Sequence, residues 1–208
     1  MADLDDLTAA IGAGDRVASA ELTQRALDLA IDPKSILEAM TAAMDLVGRR
    51  FQLGEIFVPE MLIAARAMKA GMTILEPILV ARGVRPEHRA VIGTVEGDLH
   101  DIGKNLVGMM WKGGGLEVVD LGVNVPVHKF VEAARAHDAH IIGLSALLTT
   151  TMPNMRGVVE AVRASGLSTK VVVGGAPVTV EFADQIGADG YAADAGAAVD
   201  LVRGLLAR

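Results

Sequence analysis

Cysteine is absent from the 208 residues. That excludes disulfides, thiolate metal sites and a cysteine nucleophile, and it fits a reducing compartment. Aromatic side chains are only 3% of the chain, too few for base-stacking platforms. Basic residues are the minority: 19 Lys and Arg against 26 Asp and Glu leave a net charge of −7, the wrong sign for gripping nucleic acid. No apolar run approaches the ~18 residues of a membrane span. The start, Met1-Ala2-Asp3-Leu4-Asp5-Asp6, is acidic, whereas a signal peptide opens basic and then turns apolar. A cytoplasmic protein with no nucleic acid or membrane partner is the expectation.

What is present is a 51% hydrophobic chain, enough for a large core. At roughly 150 residues per domain, the length suits one large domain or two small ones. Two halves differ in period. Leu4, Leu7 and Ile11 mark one face of a first helix. Asp15 can cap a second, with Val17, Leu22, Ala26, Leu27 and Leu29 as its apolar positions. Asp32-Pro33 starts a third, carrying Ile36, Leu37, Met40, Met44 and Val47, with a turn expected over 48–54. Pro59 opens a fourth that runs to about Ala81, with Met61, Met68 and Met72 in the bundle core. The polar segment 83–89 reads as a linker, which puts a helical bundle at 1–88 and a second domain at 89–208. There, short β-rich runs at 90–95, 117–121, 140–144, 170–173 and near Tyr191 alternate with helical segments. This pattern predicts a doubly wound, Rossmann-like parallel sheet of five strands. Ligands of such sheets bind outside the carboxyl ends of the strands. The loops starting at Glu96, Gly122, Ser145, Gly174 and Ala192 should therefore share one face.

The first of these loops reads Gly97-Asp98-Leu99-His100-Asp101-Ile102-Gly103-Lys104-Asn105. On an extended segment, side chains two residues apart point to the same side. Asp98 can then accept from one imidazole nitrogen of His100 and leave the other facing outward, as a single metal-coordinating position requires. Gly97 and Gly103 would let a large ligand approach the backbone. Taken alone, Asp-x-His also suits a solvated histidine, and one ligand is too few for structural zinc. Ser145 could cap the next helix, Gly174-Gly175 ends many strands of this fold, and Thr149 to Thr151 could be helix-start hydroxyls. His88, His128, His137 and His140 have no partner at a similar spacing and read as surface or strand-end residues.

Asp98-x-His100-x-x-Gly103, Ser145-x-Leu147 and Gly174-Gly175, in that order, resemble the three-part fingerprint of cobalamin domains that bind the cofactor base-off and His-on. The run 97–105, the run Asp120-Leu121-Gly122-Val123-Asn124-Val125-Pro126, and Phe51-x-x-Gly54-Glu55-Ile56-Phe57-Val58-Pro59 resemble cobalamin-dependent methionine synthase. They equally resemble the small corrinoid proteins of methanol and methylamine methyltransferase systems. The resemblance spans about residues 3–206.

The resemblance implies a helical cap over a cobalamin-binding domain, with His100 as the lower cobalt ligand and Asp98 as acceptor for its other nitrogen. Thr151 stands where methionine synthase has the relay serine. Ser145 matches the residue that hydrogen-bonds the displaced base, Leu147 lines the tail channel, and Thr149 is a further tail or corrin contact. Gly174 and Gly175 would let the nucleotide tail pass, and Ala195 would contact it through its backbone. Leu99, Asp101 and Ile102 belong to the cofactor loop. The implied function is a methyl carrier, with methylcobalamin as the loaded state. It would work between a donor-specific methyltransferase and an acceptor methyltransferase using tetrahydrofolate or a thiol, with a reductive activator. A cobalamin-binding sensor or a mutase subunit are the alternative readings. No donor-activating cluster is visible in the sequence, so the chain is expected to be a corrinoid subunit without catalysis of its own. Methanol, methylamines, methoxylated aromatics and betaines are all donors served by similar carriers.

Overall fold

Asp15 and Pro59 begin helices where the sequence places them. In the structure, a computed structural model, residues 2–84 and 86–207 are described. Met1, Arg208 and Arg85 of the expected linker lie outside the described residues, as do the side chains of Ala2 and Asp3. The chain divides into two units, Met1–Pro86 with Gly113–Gly115, and Glu87–Lys112 with Leu116–Arg208.

The first unit packs α1 (Ala2–Gly12), α2 (Arg16–Asp28), α3 (Pro33–Gln52) and α4 (Val58–Ala81). The Asp15 carboxylate accepts from the amides of Val17 and Ala18 at 3.1 and 3.0 Å, satisfying two free donors of the α2 start. At the α4 start, Glu60 reaches back to the Phe57 amide at 3.0 Å. Met61 and Met68 are buried and Met72 is half-buried.

Two expectations fail here. The turn does not begin at Gly48, which is buried inside α3; the chain reverses at Leu53-Gly54, with Gly54 at φ +71°. Nor do Val17 and Leu29 face the core: both are exposed, and the buried residues of α2 are Ser19, Thr23 and Ala26. At the buried face of α2, α4 approaches closely. A Cβ at Gly71 would lie 2.7 Å from the Thr23 hydroxyl oxygen, so only small side chains fit between the helices. The Ser19 and Thr23 hydroxyls donate to the carbonyls of Asp15 and Ser19 at 2.7 and 2.6 Å, so these buried polar groups are satisfied.

The second unit is a five-stranded, all-parallel sheet in the order β2-β1-β3-β4-β5. Its strands are β1 (Arg89–Thr94), β2 (Glu117–Asp120), β3 (Ile141–Ser145), β4 (Lys170–Gly174) and β5 (Gly190–Ala192). The helices are α5 (Ile102–Gly113), α6 (Val127–Ala136), α7 (Asn154–Ala164), α8 (Val180–Ile186) and α9 (Ala195–Leu206). Val91, Ile142, Leu144, Val171 and Val173 pack with Phe130 of α6, Met155 and Val158 of α7, and Ile186 of α8. On the opposite face, Trp111 of α5 fills the space left by Gly143, where a Cβ would meet its ring at 2.6 Å. Its indole donates to the carbonyl of Ala198 in α9 at 3.0 Å.

The strand order reverses at β1, with β2 on one side and β3 on the other, and a crevice opens at such a point beyond the carboxyl ends. The register aligns Thr94 with Ser145, Ser145 with Gly174, and Gly174 with Ala192. The sequence-predicted site segments after β1, β3, β4 and β5 thus leave from one row across the sheet. Among the described residues, no helix is long and apolar enough to cross a membrane.

Candidate functional site

The loop after β1 turns around a buried carboxylate. Asp98 is 0% exposed, and its two oxygens have different partners. Oδ1 accepts from the His100 amide and sits 3.0 Å from the His100 Nδ1, also 3.0 Å from the amide nitrogen. Oδ2 accepts from the Leu147 amide at 2.8 Å, the Leu148 amide at 3.3 Å and the Thr151 hydroxyl at 2.7 Å. Burial by itself would push this carboxyl up. The amides of His100 and Leu147, the Thr151 hydroxyl and the His100 ring oppose it and hold the group well below the usual carboxylate range. Asp98 is therefore an anion and only accepts, so Nδ1 of His100 carries a proton, and in the neutral ring the lone pair is on Nε2. The His100 side chain is half-exposed.

The Asp98–His100 contact expected from the spacing is present, just after a turn. Residues 96–97 form a turn, and one oxygen of Asp98 receives both the backbone and the ring of His100. The buried charge gathers donors around itself, and this sets the loop conformation.

The other expected site residues differ in where they lie. Leu147 and Thr151 join Asp98 and His100 directly. Ser145 and Gly174 end adjacent strands in register, and the Ser145 hydroxyl has no hydrogen-bond partner among the described residues. Leu99 and Ile102 flank His100 and are 71% and 78% exposed, with Leu147 and Leu148 also exposed on the neighbouring loop. Thr149 is exposed and has no hydrogen bond to the Asp98–His100 pair. Asp101 accepts from the Asn105 carboxamide at 3.0 Å. Ala195 is the buried first residue of α9, one position past its N-cap Asp194.

The two kinds of glycine separate. A Cβ at Gly103 would meet nothing within 4 Å, so its surroundings within the chain leave room for a side chain. Gly175, at φ +135°, is required by the fold itself: a Cβ there would run into the carbonyl of Ala146. A Cβ at Gly174 would lie 3.1 Å from the carbonyl of Ala192. The expectation that both glycines make room for a tail is thus joined by a simpler cause, the tight approach of backbone to backbone.

Sequence reading missed the residues that brace the loop. Lys104 is buried, and its ammonium donates to both carboxylate oxygens of Asp120 at 2.7 and 2.6 Å and to the Asn105 side-chain Oδ1 at 2.7 Å. Asp120 also accepts from the Gly122 amide at 2.8 Å. Asn124 accepts from the Gly97 amide at 2.7 Å and donates its own amide to the Asp98 carbonyl at 2.9 Å. Thr94 holds the His100 carbonyl at 2.8 Å, and Asn154 holds the Glu96 carbonyl at 2.8 Å. The signal was partly present: the runs 97–105 and 120–126 both stood out in the sequence, without any indication that they touch. His88 and His140 lie at the amino edge of the sheet with ring centroids 5.2 Å apart, away from this site.

Comparison with known proteins matches residues 88–200 and residues 3–76 to B12 binding domain families. The chain is 41% identical over 214 residues to a corrinoid protein of Desulfitobacterium hafniense, covering 100% of this chain and 99% of that one. It is 43% identical over 197 residues to trimethylamine corrinoid protein 1 of Methanosarcina acetivorans, covering 92% and 91% of the two chains. Among solved structures, a cobalamin-binding protein from Desulfitobacterium hafniense superposes with a TM-score of 0.82 at 33% identity, over 97% of this chain and 98% of that one. The methanol:cobalamin methyltransferase complex MtaBC from Methanosarcina barkeri gives a TM-score of 0.87 at 28% identity, over 99% of this chain and 80% of the matched one. With a cobalamin-binding helical region, a cobalamin-binding α/β unit and relatives that align along nearly its whole length, the chain belongs to the methyltransferase corrinoid-protein family.

Proposed function

We propose that this protein holds cobalamin base-off with His100 as the lower cobalt ligand and carries a methyl group from a donor-specific methyltransferase to an acceptor methyltransferase. The observation that carries the reading is the Asp98–His100 pair: a buried anion 3.0 Å from Nδ1 favours the Nδ1–H tautomer, whose Nε2 lone pair on a half-exposed ring can ligate a metal. A corrin is a broad, largely apolar disc, and the exposed side chains of Leu99, Ile102, Leu147 and Leu148 around that ring suit it. The open space at Gly103 and the unpartnered Ser145 hydroxyl fit the same ligand. The remaining contacts, Gly97, Asp101, Thr149, Thr151, Gly174, Gly175 and Ala195, are assigned on the family pattern.

When bound, the cofactor supplies a cobalt centre that accepts and releases the methyl group; the protein tunes ligation and access. Asp98 and Thr151 orient His100 and support its ligand nitrogen. Residues 1–88 serve as the cap domain and 89–208 as the cofactor domain. Tetrahydrofolate or a thiol is the final acceptor, a reductive activator restores the reduced state, and the protein works in the cytoplasm. Methylamines and methanol are the favoured donors, since relatives bear the names of dimethylamine and trimethylamine corrinoid proteins and of a methanol:cobalamin methyltransferase complex.

The test is electron paramagnetic resonance of the Co(II) holoprotein. Coupling to one histidine nitrogen is expected, and His100→Ala should remove it. Coupling that survives the substitution would rule out His100 as the ligand.

A further inference from the structure

The loop after β1 is tied down at three places. Asn154 holds the Glu96 carbonyl at one end, and Thr94 holds the His100 carbonyl at the other. Between them, Asn124 of the β2–α6 connection grips the middle: its side-chain oxygen takes the Gly97 amide at 2.7 Å and its own amide takes the Asp98 carbonyl at 2.9 Å. Asn124 thus spans the two residues whose backbone sets where the Asp98 carboxylate sits, and through it where the His100 ring sits.

The brace is itself anchored. Val125 donates to the Thr94 carbonyl at 3.0 Å, Thr94 donates to the Gly122 carbonyl at 3.0 Å, and Val95 pairs with Val125 as an isolated parallel bridge. Asp120 receives the Gly122 amide at 2.8 Å while the buried Lys104 ammonium holds its carboxylate. Residue 124 is therefore not a passive part of a floppy loop. Its φ of +54° is a left-handed conformation that asparagine tolerates better than most side chains.

We propose that Asn124 is a positioning residue for the cobalt ligand: by fixing the Gly97–Asp98 backbone it favours the His-on over the His-off state. This rests on the reading of His100 as the lower ligand. The carboxamide acts from an exposed residue, so water competes for the Gly97 amide and the effect is modest, about two- to fivefold in the His-on to His-off ratio.

Asn124→Gly keeps the left-handed backbone and removes only the carboxamide. Asn124→Asp keeps an acceptor oxygen and tolerates the same φ. In the apoprotein, hydrogen exchange at the Gly97 amide should accelerate in Asn124→Gly and stay near wild type in Asn124→Asp, while amides of β1 remain protected in both. In the Co(II) holoprotein, the fraction of the spectrum with histidine-nitrogen coupling should fall in Asn124→Gly and return in Asn124→Asp. Asn124→Ala is read in the same way if the glycine variant loads too little cobalamin. A wild-type ratio in the variant lacking the carboxamide would overturn this inference and leave the His100 assignment standing. A wild-type spectrum without histidine coupling would overturn both.

Discussion

The Thr151 hydroxyl lies 2.7 Å from Oδ2 of Asp98, the carboxylate oxygen that does not meet His100. The same hydroxyl is 2.9 Å from the Leu148 carbonyl, and it has one proton to give. The ionised carboxylate is the stronger acceptor, so Thr151, Asp98 and His100 form one chain of hydrogen bonds.

Thr151→Val should therefore lower the stability of the α/β unit by about 1.5–3 kcal/mol, the range for a hydrogen bond to a charged group. Thr151→Ser should recover most of it. The single tryptophan, Trp111, is buried in this unit, so urea unfolding followed by its fluorescence reads the effect. A valine variant as stable as wild type would show that the hydroxyl bond to Asp98 does not carry the stability.

Acid should erase the advantage of the Asp98 anion. Its native carboxyl is held below the unfolded value, so its contribution is present above the ordinary carboxylate range and is lost as pH falls below about 4 toward the native value. The gap between the urea midpoints of wild type and Asp98→Asn, compared in the apoprotein at pH 7 and pH 3, should narrow at the lower pH without closing, because the native carboxyl is still ionised there. A constant gap would show that charge is not what Asp98 contributes.

Gly175 and Gly103 should respond oppositely to alanine. At Gly175 the added Cβ meets the Ala146 carbonyl in a strained backbone conformation, and a loss of about 2–5 kcal/mol is expected. At Gly103 the Cβ enters open space in the first turn of α5, and stability should hold or rise by up to about 0.5 kcal/mol. Cobalamin loading then reads the ligand side of Gly103 without an unfolding background. Urea midpoints and the absorbance of bound corrinoid after gel filtration separate the two effects.

The Lys104–Asp120 pair should break asymmetrically. The lysine side chain is 2% exposed and the aspartate side chain 40%. Asp120→Ala leaves a buried ammonium with only the Asn105 side-chain oxygen and should cost about 3 kcal/mol. Lys104→Met leaves a carboxylate that water can reach, and the loss should be nearer 1–2 kcal/mol. The order of the two urea midpoints is the check.

Much of this molecule is written locally. The change from a helical period to alternating strands and helices, the Asp15 cap, Pro59 in the first turn of α4, and the short Asp98-x-His100 spacing each depend on neighbours a few residues away, and so they can be read from the chain. The contacts that give the site its form cannot. Asn124 meets Gly97 across 27 residues, Lys104 meets Asp120 across 16, and Thr151 meets Asp98 across 53. These pairs exist only once parallel strands in a fixed register bring their carboxyl ends together. The small side chains at the buried face of α2 and the absolute need for glycine at 175 have the same origin: each is set by how closely another segment approaches, and distance between segments is a property of the packed structure.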